Sequence, residues 1–367
     1  MKNLSTSATL LNRDIAIERK VGMLLMAPLN ADYLNDLVVR FGCGSLLTWG
    51  GSFDDTAPEG IADFCALLNR VQKLSLETHG LPVWMHGMPP KPISGYKRGW
   101  IGRAASAGVA PERVEQAGTL LGRRWRALGV HNIPGPTLNV PLYETCILKE
   151  GTTSSDSEQV RAYGTAFNRG VLAGHCGTMA QHFPAHGATP LDSHTDFPVV
   201  DLPMDELWRD HLLPYQECFD DGCTTICTAH LTCTSLDPDH MATTSKRILT
   251  DFLKGKMGFK GITIADAVEM KGFQKDGSIE VVVVNAVNAG CDSICIVDIH
   301  NVEPIFNALL DAVKSGSIST ARLDDAVQRN LAFMQWLDLD KNVQVDLNRA
   351  ERQLDELNNS LGAELLR

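Results

Sequence analysis

The fourteen residues Gln181-His-Phe-Pro-Ala-His-Gly-Ala-Thr-Pro-Leu-Asp-Ser-His194 hold three histidines and one aspartate. A loop this polar buries little apolar surface and costs side-chain entropy to order, so its residue types point to chemistry rather than to packing. Within it, Asp192-Ser193-His194 places a carboxylate two residues before an imidazole. Such a pair can share a hydrogen bond that orients the ring to donate and then accept a proton. A bare Asp-x-His is also common in ordinary loops. The second element is Gly258-Phe-Lys-Gly-Ile-Thr-Ile-Ala-Asp-Ala-Val-Glu-Met270, which reads as a turn, a buried strand and then Asp266 where the strand runs out. A carboxylate there can attack an electrophilic carbon or steady a cation, or it can cap a following helix. Glu269 is expected to be solvated or salt-bridged.

These residues need a scaffold that brings distant segments to one mouth. Eight short apolar or β-branched runs alternate with longer amphipathic stretches: 21–27, 44–48, 82–86, 130–134, 177–181, 224–229, 261–266 and 293–297. Helical patterns fall between and after them, at 31–41, 60–78, 111–128, 157–173, 204–220, 245–257, 279–289 and 304–315. Repeated strand–helix units imply a parallel sheet, and eight of them imply a (β/α)8 TIM barrel in a single domain, assigned to residues 1–340. No Gly-x-Gly-x-x-Gly opens a helix after the first run, which removes the main support for a dinucleotide site. In a barrel, the residues just past each strand share one rim. Trp49, His86, Asn139, His182, His230, Asp266, Asp298 and His300 all fall there.

Residues 341–367 carry a different pattern. Val343, Leu347, Ala350, Leu354, Leu357 and Leu361 recur at helical spacing, the seam of an amphipathic helix that either packs back on the barrel or pairs two subunits as a homodimer. The net charge of −11 argues against nucleic-acid partners. No apolar window approaches a membrane span, and residues 1–15 do not read as a signal peptide. The ten cysteines contain no Cys-x-x-Cys pair, and several lie in strand-like runs. They are expected to be reduced core thiols rather than metal ligands, with the cytoplasm as compartment.

The order His-Phe-Pro-x-His-Gly, Asp-Ser-His, Thr228-Ala229-His230, then Gly-Phe-Lys-Gly-Ile with Asp266 and Met270, resembles glycoside hydrolase family 3. The likeness is to its single-domain bacterial β-N-acetylhexosaminidases. It runs through residues 16–335 in organisation and is motif-specific between Ala173 and Gly272. The resemblance implies that Asp266 is the nucleophile of a covalent glycosyl intermediate and that His194, supported by Asp192, is the general acid and then base. It implies a retaining β-glycosidase that needs no cofactor and no metal, acting on a small-molecule glycoside. Substrate contacts are expected from His182, Gln181, Asn139, His86, His230 and Met270.

The chain also departs from that family's pattern. The usual Asp-Gln-Glu-Gly-Gly after the third strand is His86-Gly87-Met88-Pro89-Pro90 here, and Lys91, Lys97 and Arg98 follow in no matching motif. The lysine before His-Phe-Pro is Gln181, the aspartate of Pro-x-x-Asp is Asn139, and an Arg-x-Phe-Gly element is replaced by Glu150-Gly151-Thr152-Thr153. Each charged hydrogen bond to a ligand is worth roughly 1.5–3 kcal/mol, so losing several implies altered specificity. Compensating contacts could come from His86, Met88, Trp49 or Trp100. Two other readings stay open: a repurposed enzyme performing glycosyl transfer, phosphorolysis or another reaction on a specialised metabolite, and a non-catalytic sugar-binding barrel.

Overall fold

The computed structural model describes residues 14–48, 58, 60–88, 99–148, 152–341 and 343–358. Its strands are β1 (Leu25–Pro28), β2 (Ser45–Leu47), β3 (Trp84–His86), β4 (Asn132–Thr137), β5 (Gly177–Phe183), β6 (Val199–Val200), β7 (Thr225–Thr228), β8 (Thr232–Cys233), β9 (Ile262–Ala265) and β10 (Ser293–Cys295). Eight of them close a parallel barrel in the order β1-β10-β9-β7-β5-β4-β3-β2. Leu25 pairs with Ile294 on one side of β1, and Met26 with Ser45 on the other. Every one of the eight strand-like runs contributes one barrel strand, so the fold is the (β/α)8 barrel that the sequence predicts.

The strands are short and buried on both faces, as parallel strands covered by helices must be. The helices Ile61–His79, Pro111–Ala127, Ser157–Ala173 and Ile279–Ala289 lie where the periodicity places them. Two of them pack at backbone distance through glycine: a Cβ on Gly170 would fall 2.2 Å from the Glu115 carbonyl oxygen. The apolar run expected to form the first strand splits instead. Ile17–Gly22 is helical, and extended backbone begins only at Leu25.

Three elements go beyond the sequence reading. The helix Thr320–Trp336 starts at Ser319, whose side chain accepts from the Arg322 amide. It closes the end of the barrel away from the strand C-termini: Phe333 meets Trp84 edge-on at 5.2 Å, and Trp84 Nε1 donates to Asn330 Oδ1 at 3.1 Å. The helix Trp100–Ser106 buries Trp100 beside Phe167, so Trp100 is a core residue rather than a rim contact. Finally, β6 and β8 form a small parallel sheet outside the barrel.

The tail begins by packing on the barrel. Asn69 holds Val345 through both of its amide atoms, at 2.9 and 2.7 Å, and Ala350 is buried. The helix Leu347–Asn358 lies against the helices Ile61–His79 and Pro111–Ala127. Val343, Leu347 and Ala350 are thus committed to the barrel, whereas the side chains of Leu354, Leu357 and Leu361 lie outside the described set. No described helix is long and apolar enough to cross a membrane.

Candidate active site

The ends of β9, β5 and β4 supply the centre of the site. Asp266 follows β9 directly, and its Oδ1 accepts from the Ala267 amide at 2.8 Å. No helix starts there, so the carboxylate is not a helix cap. His182, near the end of β5, places Nε2 3.6 Å from Asp266 Oδ2. Asn139, just past β4, brackets the His182 residue: its Oδ1 accepts from His182 N at 2.8 Å, and its Nδ2 donates to His182 O at 3.2 Å. Asn139 is fully buried and holds the backbone of His182 through both amide atoms.

His230 also acts at one remove. Its Nε2 lies 3.2 Å from the Ala267 carbonyl, which can only accept, so Nε2 carries the proton. Nδ1 then accepts from the Thr243 hydroxyl at 2.9 Å. The ring is buried and pins the residue that follows Asp266. His86, at the end of β3, is buried with Nδ1 accepting from Asn132 Nδ2 at 3.1 Å, which leaves the proton on Nε2. Gln181 Nε2 reaches Thr137 Oγ1 at 3.3 Å, and Met270 is buried.

The Asp192–His194 pair has the geometry that its spacing predicts. His194 Nδ1 donates to Asp192 Oδ1 at 2.7 Å, and the same oxygen accepts from the His194 amide at 2.8 Å. The side chains of His194 and Asp192 are 62% and 32% exposed, respectively. Burial alone would raise the Asp192 pKa, but the His194 amide and ring more than offset it and hold the carboxyl below its usual range. The loop carrying the pair is tied down next to Asp266. The carbonyls of Ser193 and His194 accept from the amides of Gly272 (2.9 Å) and Lys271 (3.2 Å), in the segment that directly follows the carboxylate. Glycine is required at that contact, because a Cβ on residue 272 would lie 2.9 Å from the His230 carbonyl and 3.0 Å from that of Ser193.

Several neighbours escaped the sequence reading. His186, buried, bonds Ser193 Oγ through Nε2 at 2.7 Å and so anchors the loop between Asp192 and His194. Glu269 is half-buried, and its carboxylate accepts from the amides of Val297 and Asp298 and from Asn301 Nδ2. It therefore joins the post-β9 and post-β10 segments. All ten cysteines are free and buried, as expected of core thiols. Two of them, Cys227 on β7 and Cys295 on β10, flank Asp266, whose charge adds to burial in pushing both thiol pKa values well up. Trp49, Lys91, Lys97, Arg98, Glu150 and Gly151 lie outside the described residues.

The electrostatics follow from burial. Desolvation would raise the Asp266 pKa, but His182, His230, the Ala267 amide and His186 outweigh it, and the carboxyl sits below its usual range. Burial lowers the pKa of His182 and His230, and takes those of His86 and His186 down to about 4. At neutral pH an ionised Asp266 is therefore surrounded by neutral imidazoles. His211, in the helical segment Leu207–Leu212, is likewise lowered to about 4 by burial.

These rings set an acid limit on stability. The unfolded chain protonates them below about pH 6.5, whereas the folded protein resists until about pH 4, so across that window the unfolded state binds more protons and stability falls with pH. At pH 5 each of His86, His186 and His211 is expected to cost about 2 kcal/mol. Thermal unfolding followed from pH 7.5 to 4.5 should show a midpoint that drops progressively below pH 6.5. A flat profile would contradict the buried neutral rings.

A parallel eight-stranded barrel with acids and imidazoles gathered at its strand C-termini defines the class of (β/α)8 proteins that carry their site on one rim. The profile of the glycosyl hydrolase family 3 N terminal domain matches residues 101–332, more than half of the chain. The chain belongs to glycoside hydrolase family 3. A β-hexosaminidase of Methylobacillus flagellatus is 26% identical over 185 residues, covering 50% of this chain and 53% of that protein. A β-N-acetylglucosaminidase/β-glucosidase of Cellulomonas fimi is 25% identical over 272 residues, covering 71% and 48%. The matched region thus spans about half the length of these relatives. Among solved structures, a family 3 β-N-acetylglucosaminidase of Paenibacillus sp. str. FPU-7 superposes with a TM-score of 0.81 at 26% identity, over 93% of this chain and 68% of that one.

Proposed function

We propose that the protein is a retaining β-glycosidase of the β-N-acetylhexosaminidase type with altered specificity, in which Asp266 is the nucleophile and His194, held by Asp192, is the acid and base. The observation that carries this reading is the tie between the two parts: the backbone of Ser193 and His194 is bonded to the segment leaving Asp266. Residues 1–340 form the catalytic unit in this reading, and 341–367 an appended helix.

In the first step the Asp266 carboxylate bonds to the anomeric carbon while the glycosidic C–O bond breaks, and His194 Nε2–H protonates the departing oxygen. To donate, the ring holds protons on both nitrogens, and Asp192 against Nδ1–H stabilises that imidazolium. The neutral ring then takes a proton from water, whose oxygen displaces Asp266 at the same carbon. Two inversions give net retention. His182 is set beside the nucleophile to bind a sugar hydroxyl, with Asn139 fixing its backbone.

Altered specificity rests on Gln181 and Asn139, neutral groups on the strand ends nearest the site. The test is a series of β-glycosides with leaving groups of graded acidity. His194→Ala should slow poor leaving groups about 100-fold or more and good ones far less, because only the poor ones need a proton. Equal losses across the series would contradict the acid role. Products formed with and without phosphate separate hydrolysis from phosphorolysis.

A further inference from the structure

The ends of β5, β7 and β9, which are neighbours in the barrel, bring together three different donor atoms. A ring nitrogen of His182, Sγ of Cys227 and a carboxylate oxygen of Asp266 all lie within 4.8 Å of one another. Among the described residues no lysine or arginine lies within ion-pair distance of Asp266; His182 is its partner. The strand position that could have offered a cation next to His182 holds Gln181. His182 Nδ1 is itself buried without a hydrogen-bond partner. An anionic carboxylate, a neutral imidazole and a thiol therefore share a partly buried space that lacks a compensating positive charge.

We propose that His182, Cys227 and Asp266 form a binding site for a thiophilic divalent cation, with Zn2+ as the type case, whose occupancy blocks the nucleophile. Imidazole, thiolate and carboxylate are all zinc donors, with bonds of roughly 2.0–2.3 Å. A tetrahedral ion then needs its donors about 3.3–3.8 Å apart, so the present spread closes by about 1 Å of side-chain rotation. Cys227 gives up its thiol proton to solvent on binding, and His182 ligates as the neutral ring. One carboxylate, one thiolate and the dication sum to zero charge, which suits a buried site better than the bare carboxylate does. The fourth position is open to water.

Selectivity follows from the thiol: Mg2+ and Ca2+ prefer oxygen ligands and are expected to bind far more weakly. The second flanking thiol supplies a control. Cys295 lies on β10, on the other side of β9 from β7, and is not one of the three donors.

The binding claim is tested without turnover. Zn2+ is titrated into the full-length protein by calorimetry, and Co2+ serves as a spectroscopic stand-in whose bond to a thiolate gives a charge-transfer band. One high-affinity Zn2+ per chain and a Co2+–thiolate band are expected for the wild type and for Cys295→Ser. Cys227→Ser and His182→Gln should each weaken Zn2+ binding at least tenfold, and Cys227→Ser should abolish the band. An undiminished band in Cys227→Ser, or no Zn2+ binding by folded wild-type protein, would overturn the proposal. Inhibition of turnover by Zn2+ rests in addition on the proposed nucleophile. Tight binding by a wild-type enzyme that keeps its full rate would reject the blocking role and leave the metal site standing.

Discussion

Asp266→Asn is expected to lower turnover of every β-glycoside substrate by about four orders of magnitude or more, with the fold intact. The amide has nearly the shape of the carboxylate, and its oxygen can still accept from the Ala267 amide, as the native Oδ1 does. What the substitution removes is the negative charge and the lone pair that would bond to the anomeric carbon. The imidazoles around it are buried and carry no negative charge near pH 7, so none supplies the anionic nucleophile that is lost. Steady-state rates, compared with thermal unfolding of the same sample, separate lost chemistry from lost structure. Turnover within tenfold of the wild type would remove Asp266 from the mechanism.

The largest stability effect is expected at the other end of the barrel. Asp292 precedes β10 and is fully buried, and its carboxylate accepts from Lys254 Nζ at 2.8 and 2.9 Å, from Arg322 Nη2 and from the Thr263 amide at 3.0 Å. Arg329 Nε lies 3.9 Å away. Burial alone would raise the Asp292 pKa, but these three cations hold it below its usual range. Asp292→Ala leaves Lys254, Arg322 and Arg329 packed around a missing anion, relieved only in part by Asp325. Breaking a buried pair in this way costs about 3–5 kcal/mol, which corresponds to a fall of about 4–6 °C in unfolding midpoint for a protein of this size. An unchanged midpoint at fixed scan rate would show that the network contributes nothing net. Because Asp292 sits at the strand N-termini and Asp266 at the C-termini, the protein that remains folded should keep its activity.

The scaffold was legible because each barrel strand is a short apolar run between helical stretches. Even Val21–Ala27, whose first two residues are helical, locates β1, since an apolar run marks burial before it marks conformation. The helix Thr320–Trp336 could have been read from Ser319 and the spacing of Leu323, Val327, Leu331 and Met334, but it adds a unit beyond the eight that a barrel needs. The paired residues of β6 and β8 are too few to show any period. In the site, the Asp192–His194 bond is local and followed from spacing alone. The bond of the Asn139 amide to His182, the pinning role of His230 and the His186–Ser193 bond are tertiary, and a residue type cannot tell a group that faces a ligand from one that holds its neighbour. Cys227 reads as one more strand thiol until β5, β7 and β9 are laid side by side.

The most direct test of the central claim is intact-protein mass after exposure to activated 2-fluoro and 5-fluoro β-glycosides, followed by peptide mapping. A retaining route through Asp266 predicts a gain of one fluoroglycosyl unit on the peptide containing Asp266 in the wild type and none in Asp266→Asn. Turnover of the parent glycosides without any trapped adduct, or an adduct on a different residue, would contradict it.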